Sequence, residues 1–200
     1  MNKTASLALI AWILLLPICG AGTLKPETIP SFKLDPAVVG PVGAYFHGGA
    51  YNLRSMGFVG AAIADRDLGP GAQLTEFLKA QNINFPQIMM AAIDSRLRAG
   101  SLATKLSETS ENTLRLTIEG YGLGKGAGFA PNMRPSATVS LVLTDATGKK
   151  LWKNKAEVGG YDKQLPIKLM EEWMKDPKGL EAAFGDAAKL LAEKLLPLPR

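Results

Sequence analysis

The sequence predicts an α+β fold in which an antiparallel sheet of three or more strands packs on helices as a single-layer sandwich. Two patterns support this prediction. Apolar and polar residues alternate over 113–121 and again over 136–144, which is typical of half-buried strands. Apolar residues recur every three or four positions over 85–99 and 180–195, which is typical of amphipathic helices.

The strands are predicted to form a meander. Asp145-Ala146-Thr147-Gly148 follows the second alternating segment and has the composition of a tight hairpin turn. The chain from Lys150 to Val158 then returns as a third strand around Trp152. Such a meander has one apolar face, which needs a cover.

Helices with clear end signals can provide that cover. A helix over 85–99 begins after the N-cap residue Asn84 and ends before Gly100. A shorter helix is predicted over 75–81. Two C-terminal helices are predicted on either side of Asp176, the first of them opening at Pro166.

The chain divides into a leader, a linker and one domain. Residues 1–22 have the pattern of an export signal peptide, with Lys3 before an apolar run from Leu7 to Leu16. This run is shorter than the about 20 residues that a membrane span needs. Residues 23–41 carry four prolines among polar residues and are predicted to form a Pro-rich tether. Residues 42–200 are predicted to form a single α+β domain.

Cys19 is the only cysteine, so the fold must rest on its core rather than on an internal disulfide. The stretch Leu16-Pro17-Ile18-Cys19 resembles the lipobox at which bacterial lipoproteins are cut and acylated. Pro17 and the bulky Ile18 depart from that pattern. Two alternatives therefore stand: an acyl anchor on Cys19, or cleavage after Ala21 that discards the cysteine.

The residue inventory predicts no catalytic residues, no metal site and no cofactor. His47 is the only histidine, which excludes a histidine-rich metal centre. The glycines after it faintly resemble an esterase oxyanion loop, but no G-x-S-x-G motif occurs to supply the nucleophile. His47 is therefore predicted to be an ordinary histidine at the end of a strand.

Four lysines, Lys149, Lys150, Lys153 and Lys155, surround Trp152 in the third predicted strand. Such a basic and aromatic mixture is found in nucleic-acid readers, but export argues against a nucleic-acid partner. We expect the lysines to mark an exposed sheet edge, where their charge discourages strand-to-strand aggregation. An anionic envelope polymer is the alternative interpretation.

A glycine-rich segment over 120–135 is predicted to be a long mobile loop between two antiparallel strands. Its glycine spacing is similar to that of phosphate-binding loops, which instead run from a strand into a helix. Loops on a rigid sheet often carry function. The candidate contact residues of this binding loop are Gly122, Gly124, Lys125, Gly126 and Phe129.

The stretch from Arg134 to Asp145, followed by Thr147-Gly148-Lys149-Lys150-Leu151-Trp152, resembles a family of proteobacterial envelope lipoproteins. These proteins are similar to the α/β domain of the curli transport component and to the N-terminal domain of the Tol-Pal translocation protein. The resemblance covers roughly residues 84–195. It implies a periplasmic module that docks other envelope proteins or assembles into rings, without catalytic residues.

We therefore expect a non-enzymatic protein of the Gram-negative periplasm that binds a protein partner or an envelope polymer during envelope assembly or transport. An anchor in the outer membrane would follow from acylation of Cys19, and self-association into a homo-oligomer is compatible with the resemblance. The sequence leaves two other classes open. One is an exported hydrolase that uses His47, and the other is a periplasmic carrier of a small apolar ligand.

Overall fold

The computed structural model describes residues 28–47, 69–125 and 132–197, without the side chains of His47 and Pro70. The predicted export signal with Cys19 lies outside these residues, as do Gly126 and Phe129. The described elements, in chain order, are β1 (Lys33–Leu34), β2 (Tyr45–His47), α1 (Pro70–Ala80), α2 (Phe85–Ala99), a 3-10 turn (Ala103–Lys105), β3 (Thr113–Lys125), β4 (Asn132–Thr144), β5 (Lys150–Val158), β6 (Lys168–Leu169), α3 (Met170–Lys175) and α4 (Pro177–Leu195).

The α+β class is confirmed, and so is the antiparallel meander of β3, β4 and β5. The sheet also has a parallel edge that the sequence analysis did not predict. Strands β1 and β2 both run parallel to β3, with Lys33 opposite Thr113 and Tyr45 opposite Gly122. Between them, Val39 forms a further parallel bridge to β3.

Residues 28–41 lie against this edge and differ from the predicted tether. Phe32 is buried in the core, and the N–H of Asp35 donates to the carbonyl of Leu114. Prolines are compatible with this position because an edge strand needs hydrogen bonds on one side only. Pro36 and Pro41 lack an N–H, yet the bonds of Asp35 and Val39 to β3 remain.

The hairpin of β3 and β4 extends further than predicted. Gly122 and Gly124 belong to β3, so the predicted loop over 120–135 is reduced to the connection between Lys125 and Asn132. Glycine is needed at Gly122 because β2 passes close by. A Cβ atom there would lie 1.8 Å from the carbonyl oxygen of Tyr45.

One core fills the space between the sheet and the helices. The inward residues of β3 and β4 are those that the alternation predicted, and α2 and α4 cover them. Aromatic rings join the layers, since the ring of Phe85 stacks on Tyr121 at 5.1 Å and lies 5.4 Å from Phe184. The fully buried residues at the centre include Leu116, Ile118, Val139, Leu141, Met89, Ile93, Leu180 and Leu191.

Helix α2 has the predicted bounds, and its N-cap is Asn84, whose side chain accepts a hydrogen bond from the N–H of Gln87 at 3.2 Å. The helix predicted from Pro166 begins only at Met170, because the preceding residues pair with β4 as β6. Its Trp173 is fully buried, and the indole N–H donates to the carbonyl of Met133 at 2.9 Å. Among the described helices, none has both the length and the apolarity to cross a membrane.

Candidate binding surface at the parallel sheet edge

Seven consecutive uncharged residues, Pro36 to Val42, lie along the parallel edge of the sheet, and we call this segment the apolar edge. Val42 is 99% exposed and Val39 is 51% exposed. Val38 is the member that packs against the core. Contiguous exposed apolar surface of this kind marks interaction sites in soluble proteins.

No described residue forms a backbone hydrogen bond with the outer side of the apolar edge. The N–H of Val39 donates to the carbonyl of Leu116 at 3.2 Å, and its carbonyl accepts from the N–H of Ile118 at 2.7 Å. Because successive residues of a strand direct these groups to opposite sides, the N–H groups of Val38 and Gly40 point away from β3. Neither group donates a hydrogen bond to any residue in the described ranges. A further strand could therefore pair at this edge.

A groove of 650 Å³ separates the apolar edge from α2. Its size falls within the range of ligand-binding clefts. At the rim, the guanidinium of Arg98 is ion-paired with Asp94 at 2.8 Å. The apolar lining consists of Leu34, Pro36, Val38, Met90, Ala91 and Leu106.

A second groove of 490 Å³ continues from the first toward α1. Pro41 and Val42 line it on the side of the apolar edge, and Leu78 and Tyr121 line it elsewhere. Both grooves include Asn84, Pro86 and Gln87 at the start of α2, so they form one surface, which we call the edge groove. The apolar edge and the edge groove together make a continuous candidate binding surface.

Of the predicted binding loop, the described residues Gly122, Gly124 and Lys125 do not line this surface. Gly122 and Gly124 lie inside β3, between β2 on one side and β4 on the other. Lys125 is the last residue of β3 and is exposed. Gly122 and Gly124 are therefore strand residues packed between two neighbouring strands, and not part of a ligand-holding loop.

His47 is the last residue of β2, where its backbone lies opposite Gly124. This is the strand-end position that the sequence predicted. Near it, the hydroxyl of Tyr45 donates to the Oγ of Ser136 at 2.6 Å, and that Oγ donates to the carbonyl of Val158 at 3.1 Å. Burial raises the pKa of Tyr45, so its hydroxyl stays protonated and serves as a structural donor.

Arg134 is buried at the same end of the sheet, and its Nη1 donates to the carbonyl of Asp162 at 2.7 Å. Burial by itself raises the pKa of Asp162. The ammonium of Lys194 and the N–H of Gly159 bond the carboxylate, however, and hold its pKa below the ordinary value. The described residues contain no group of three histidine, cysteine or acidic side chains that could hold a metal ion.

The opposite edge of the sheet is β5, which carries Lys150, Lys153 and Lys155; together with Lys149, which directly precedes the strand, we call it the lysine edge. As predicted, Leu151 and Lys153 are exposed, whereas Trp152 is partly buried against the core. The sheet thus presents two edges of contrasting chemistry. The apolar edge was missed by the sequence analysis, although its run of uncharged residues was a signal that could have indicated it.

Comparison with known proteins finds only distant structural similarity. No protein-family model matches the chain, and no curated protein matches it significantly. A DUF330-family protein from Xanthomonas campestris is 14% identical with a TM-score of 0.37, over 54% of this chain and 56% of that one. The PelC dodecamer from Paraburkholderia phytofirmans is 13% identical with a TM-score of 0.37, over 88% of this chain and 94% of that one.

A lipoprotein from Neisseria meningitidis is 16% identical with a TM-score of 0.26, over 67% of this chain and 86% of that one. The chain thus spans little more than half the length of the Xanthomonas protein and most of the other two. Scores this low support no inference about activity, partner or assembly.

Proposed function

We propose that this chain is an exported, non-enzymatic binding protein of the Gram-negative cell envelope, and that it binds an extended segment of a partner protein along the apolar edge. One observation carries the proposal. The N–H groups of Val38 and Gly40 point outward from a strand edge that is apolar, exposed and bordered by a groove. Strand addition to an open sheet edge is a common mode of peptide recognition.

The geometry suggests how such a segment would bind. Its backbone would pair with Val38 and Gly40, and alternate side chains would enter the edge groove beside α2. Pro36 limits the pairing on its N-terminal side, because alternation places its nitrogen on the outer side of the edge, where it cannot donate to an added strand. The nitrogen of Pro41 lies on the side of β3 by the same alternation, so of the two prolines it is Pro36 that would help to fix the register.

The cellular location belongs to the same proposal. The signal pattern of residues 1–22 supports export to the periplasm. There the protein would either be anchored to the outer membrane through acylated Cys19 or be released after cleavage at Ala21. Mass spectrometry of the mature N-terminus distinguishes the two, since only the first carries diacylglycerol on Cys19.

Site-specific photo-cross-linking in cells tests the proposed binding surface. A cross-linking residue at Val42 should form one discrete adduct with a partner protein. The same residue at Ala182, which is exposed on α4, should not form that adduct. An identical adduct from both positions, or none from Val42, would contradict the proposal.

The partner identified in this way allows a quantitative test with purified proteins. Ala91 is exposed on α2 and lines the edge groove, so Ala91→Arg should obstruct the groove without disturbing the core. Burial of apolar side chains in a groove contributes roughly 1 to 3 kcal/mol each, and the dissociation constant should rise about tenfold or more. The matched variant Ala182→Arg should bind as the unmodified protein does, and equal weakening in both would count against the groove.

A second candidate function is a carrier of a small apolar ligand, and the observation that favours it is the apolar lining of the 650 Å³ groove. In that case the purified protein should release a lipid-like molecule on organic extraction. Ala91→Arg should abolish its retention. Retention without any cross-linked protein partner would favour the carrier over the strand-binding protein.

The absence of enzymatic activity is also part of the proposal and has its own test. Cross-linking at Val42 should be the same in His47→Ala as in the unmodified chain, because no chemistry is assigned to that histidine. A hydrolytic activity of the purified protein that disappears in His47→Ala would identify an exported hydrolase instead.

A further inference from the structure

The lysine edge holds four lysines within seven residues, Lys149 to Lys155. In the described part of the chain, only Lys155 forms an ion pair there, with the carboxylate of Glu119. Lys150 and Lys153 form no ion pair with any described residue. By contrast, Lys79, Lys168, Lys189 and Lys194 are each paired with a carboxylate.

Lys153 and Lys155 lie on the outer face of β5. Trp152, Ala156 and Val158 face the core, so the alternating positions Lys153 and Lys155 face solvent. Residues two apart on a strand are separated by about 6.5 to 7 Å. Lys153 and Lys155 therefore place two ammonium groups a short distance apart on the outer face of β5, and Lys150 adds a third at the start of the strand, where the register against β4 shifts.

Helix α4 fixes the strand from behind. The side-chain amide of Asn154 donates to the carbonyl of Leu195 at 2.9 Å. The ammonium of Lys194 donates to the carbonyl of Glu157 at 2.9 Å and is ion-paired with Asp162 at 2.7 Å. A row of charges on a backbone held in this way loses little conformational freedom when a ligand binds.

We infer that the lysine edge binds a linear polyanion, of the class of acidic polysaccharides that carry one carboxylate on each repeating unit. The inference goes beyond the proposed protein-binding function and does not depend on it, because β5 and the apolar edge lie at opposite sides of the sheet. Charge complementarity supports it, since no described carboxylate is ion-paired with Lys150 or Lys153 and their positive charge attracts an anionic partner.

A chain-like ligand fits this surface better than an anionic membrane does. Glu119 is ion-paired with Lys155, and Glu157 lies near the end of β5. A flat lipid surface would meet these carboxylates together with the lysines, whereas a single polymer chain over Lys150 and Lys153 would meet mainly ammonium groups. Leu151 is the one large apolar residue of β5 with substantial exposure, at 41%, which leaves little to insert into a bilayer.

Titration calorimetry of the mature full-length chain with polygalacturonate tests the inference, with dextran as the neutral polymer. The variant Lys150→Gln/Lys153→Gln removes the two unpaired charges of β5 itself. Its match, Lys178→Gln/Lys189→Gln, removes the same charge from exposed positions on α4. We expect polygalacturonate to bind and dextran not to bind. The first variant should weaken binding by about tenfold and the second by less than about twofold, with affinity falling as salt is added.

Three results would overturn the inference. Equal weakening in the two double variants would mean that only net charge matters. Failure of the unmodified chain to bind polygalacturonate at low ionic strength would mean that the lysines serve only to block strand pairing. Binding to phosphatidylglycerol vesicles that needs Lys150 and Lys153, with weaker binding to the polymer, would assign the surface to a membrane.

Discussion

Two edges bound the sheet, and they differ in charge, in support and in the hydrogen-bonding groups that they leave open. The lysine edge repeats positive charge along β5, whereas the apolar edge has no charged residue from Pro36 to Val42. Charge on an edge strand opposes the addition of another strand, and an apolar edge favours it. Among the described residues, charge therefore lies along one edge, and the other edge has no strand paired to its outer side between Pro36 and Pro41.

The two edges also differ in the buried packing and hydrogen bonds that hold them in place. On the lysine-edge side, α3 and α4 close the sheet through buried Trp173 and through the bond from Asn154 to α4. At the apolar edge, the exposed side chains of Val39 and Val42 add little buried surface. We expect the free energy of unfolding to depend strongly on the lysine-edge side of the sheet and weakly on the apolar edge. The residues of the apolar edge can therefore change to suit a partner without loss of stability.

The largest effect on stability should come from Trp173→Ala, near the lysine-edge side of the sheet. The side chain is fully buried and its indole N–H is hydrogen-bonded, so truncation should lower the free energy of unfolding by about 3 to 5 kcal/mol. Urea denaturation followed by circular dichroism measures this. A change below about 1 kcal/mol would show that α3 does not support the sheet as described.

Asn154→Ala should have an intermediate effect. It removes the hydrogen bond from β5 to the carbonyl of Leu195, and the expected loss is about 1 kcal/mol. The same urea experiment applies. Lys153→Ala, its exposed neighbour, is the control and should stay within about 0.5 kcal/mol of the unmodified protein. An equal loss in the free energy of unfolding in both variants would contradict the assignment of Asn154 to the inner face and Lys153 to the outer face of β5.

Asp162→Asn should produce a smaller, pH-dependent effect. The folded-state pKa of Asp162 lies below its ordinary value of 3.8, so its contribution to stability is complete above that pH. It is lost as the pH falls through the folded-state pKa. Asp162→Asn should therefore lower stability at neutral pH by less than about 1 kcal/mol and flatten the loss below about pH 4. If thermal stability below about pH 4 fell equally in Asp162→Asn and in the unmodified protein, the ion pair of Asp162 with Lys194 would not stabilise the fold as described.

Val42→Asp should have the smallest effect on stability and a clear effect on binding. Because Val42 is 99% exposed, the free energy of unfolding should change by no more than about 0.5 kcal/mol. Affinity for the partner identified by cross-linking should fall, since the change places a charge on the apolar edge. A destabilised variant would mean that this edge belongs to the structural core instead.

The sequence predicted those helices and strands whose ends and faces are set by residues close together in the chain. The ends of α2 follow from Asn84 and Gly100, and the meander follows from alternation in β3 and β4. The capped helix α4 follows in the same way from Asp176, whose side chain accepts from the N–H of Gly179 at 2.9 Å.

The differences arose where a distant partner decides the conformation. The segment around Asp35 was expected to be a tether, but its hydrogen-bond partner Leu114 lies far along the chain. Gly122 was expected in a loop, although the close approach of Tyr45 makes it a strand residue. The residues before Met170 were expected to be helical and instead pair with β4.

The candidate site could be predicted only in part, for the same reason. The sequence indicated the lysine edge, because alternation around Trp152 shows which positions face solvent. It did not indicate the apolar edge, because exposure of Pro36 to Val42 depends on their pairing with β3 from one side only. No local pattern specifies which side of an edge remains open.

Amide hydrogen exchange across the apolar edge tests the central claim most directly. In the free protein, the amides of Val38 and Gly40 should exchange rapidly and the amide of Val39 slowly, because only Val39 donates to β3. When the partner identified by cross-linking is added, Val38 and Gly40 should become protected. Slow exchange at Val38 and Gly40 in the free protein, or rapid exchange at both in the complex, would contradict a strand-pairing edge.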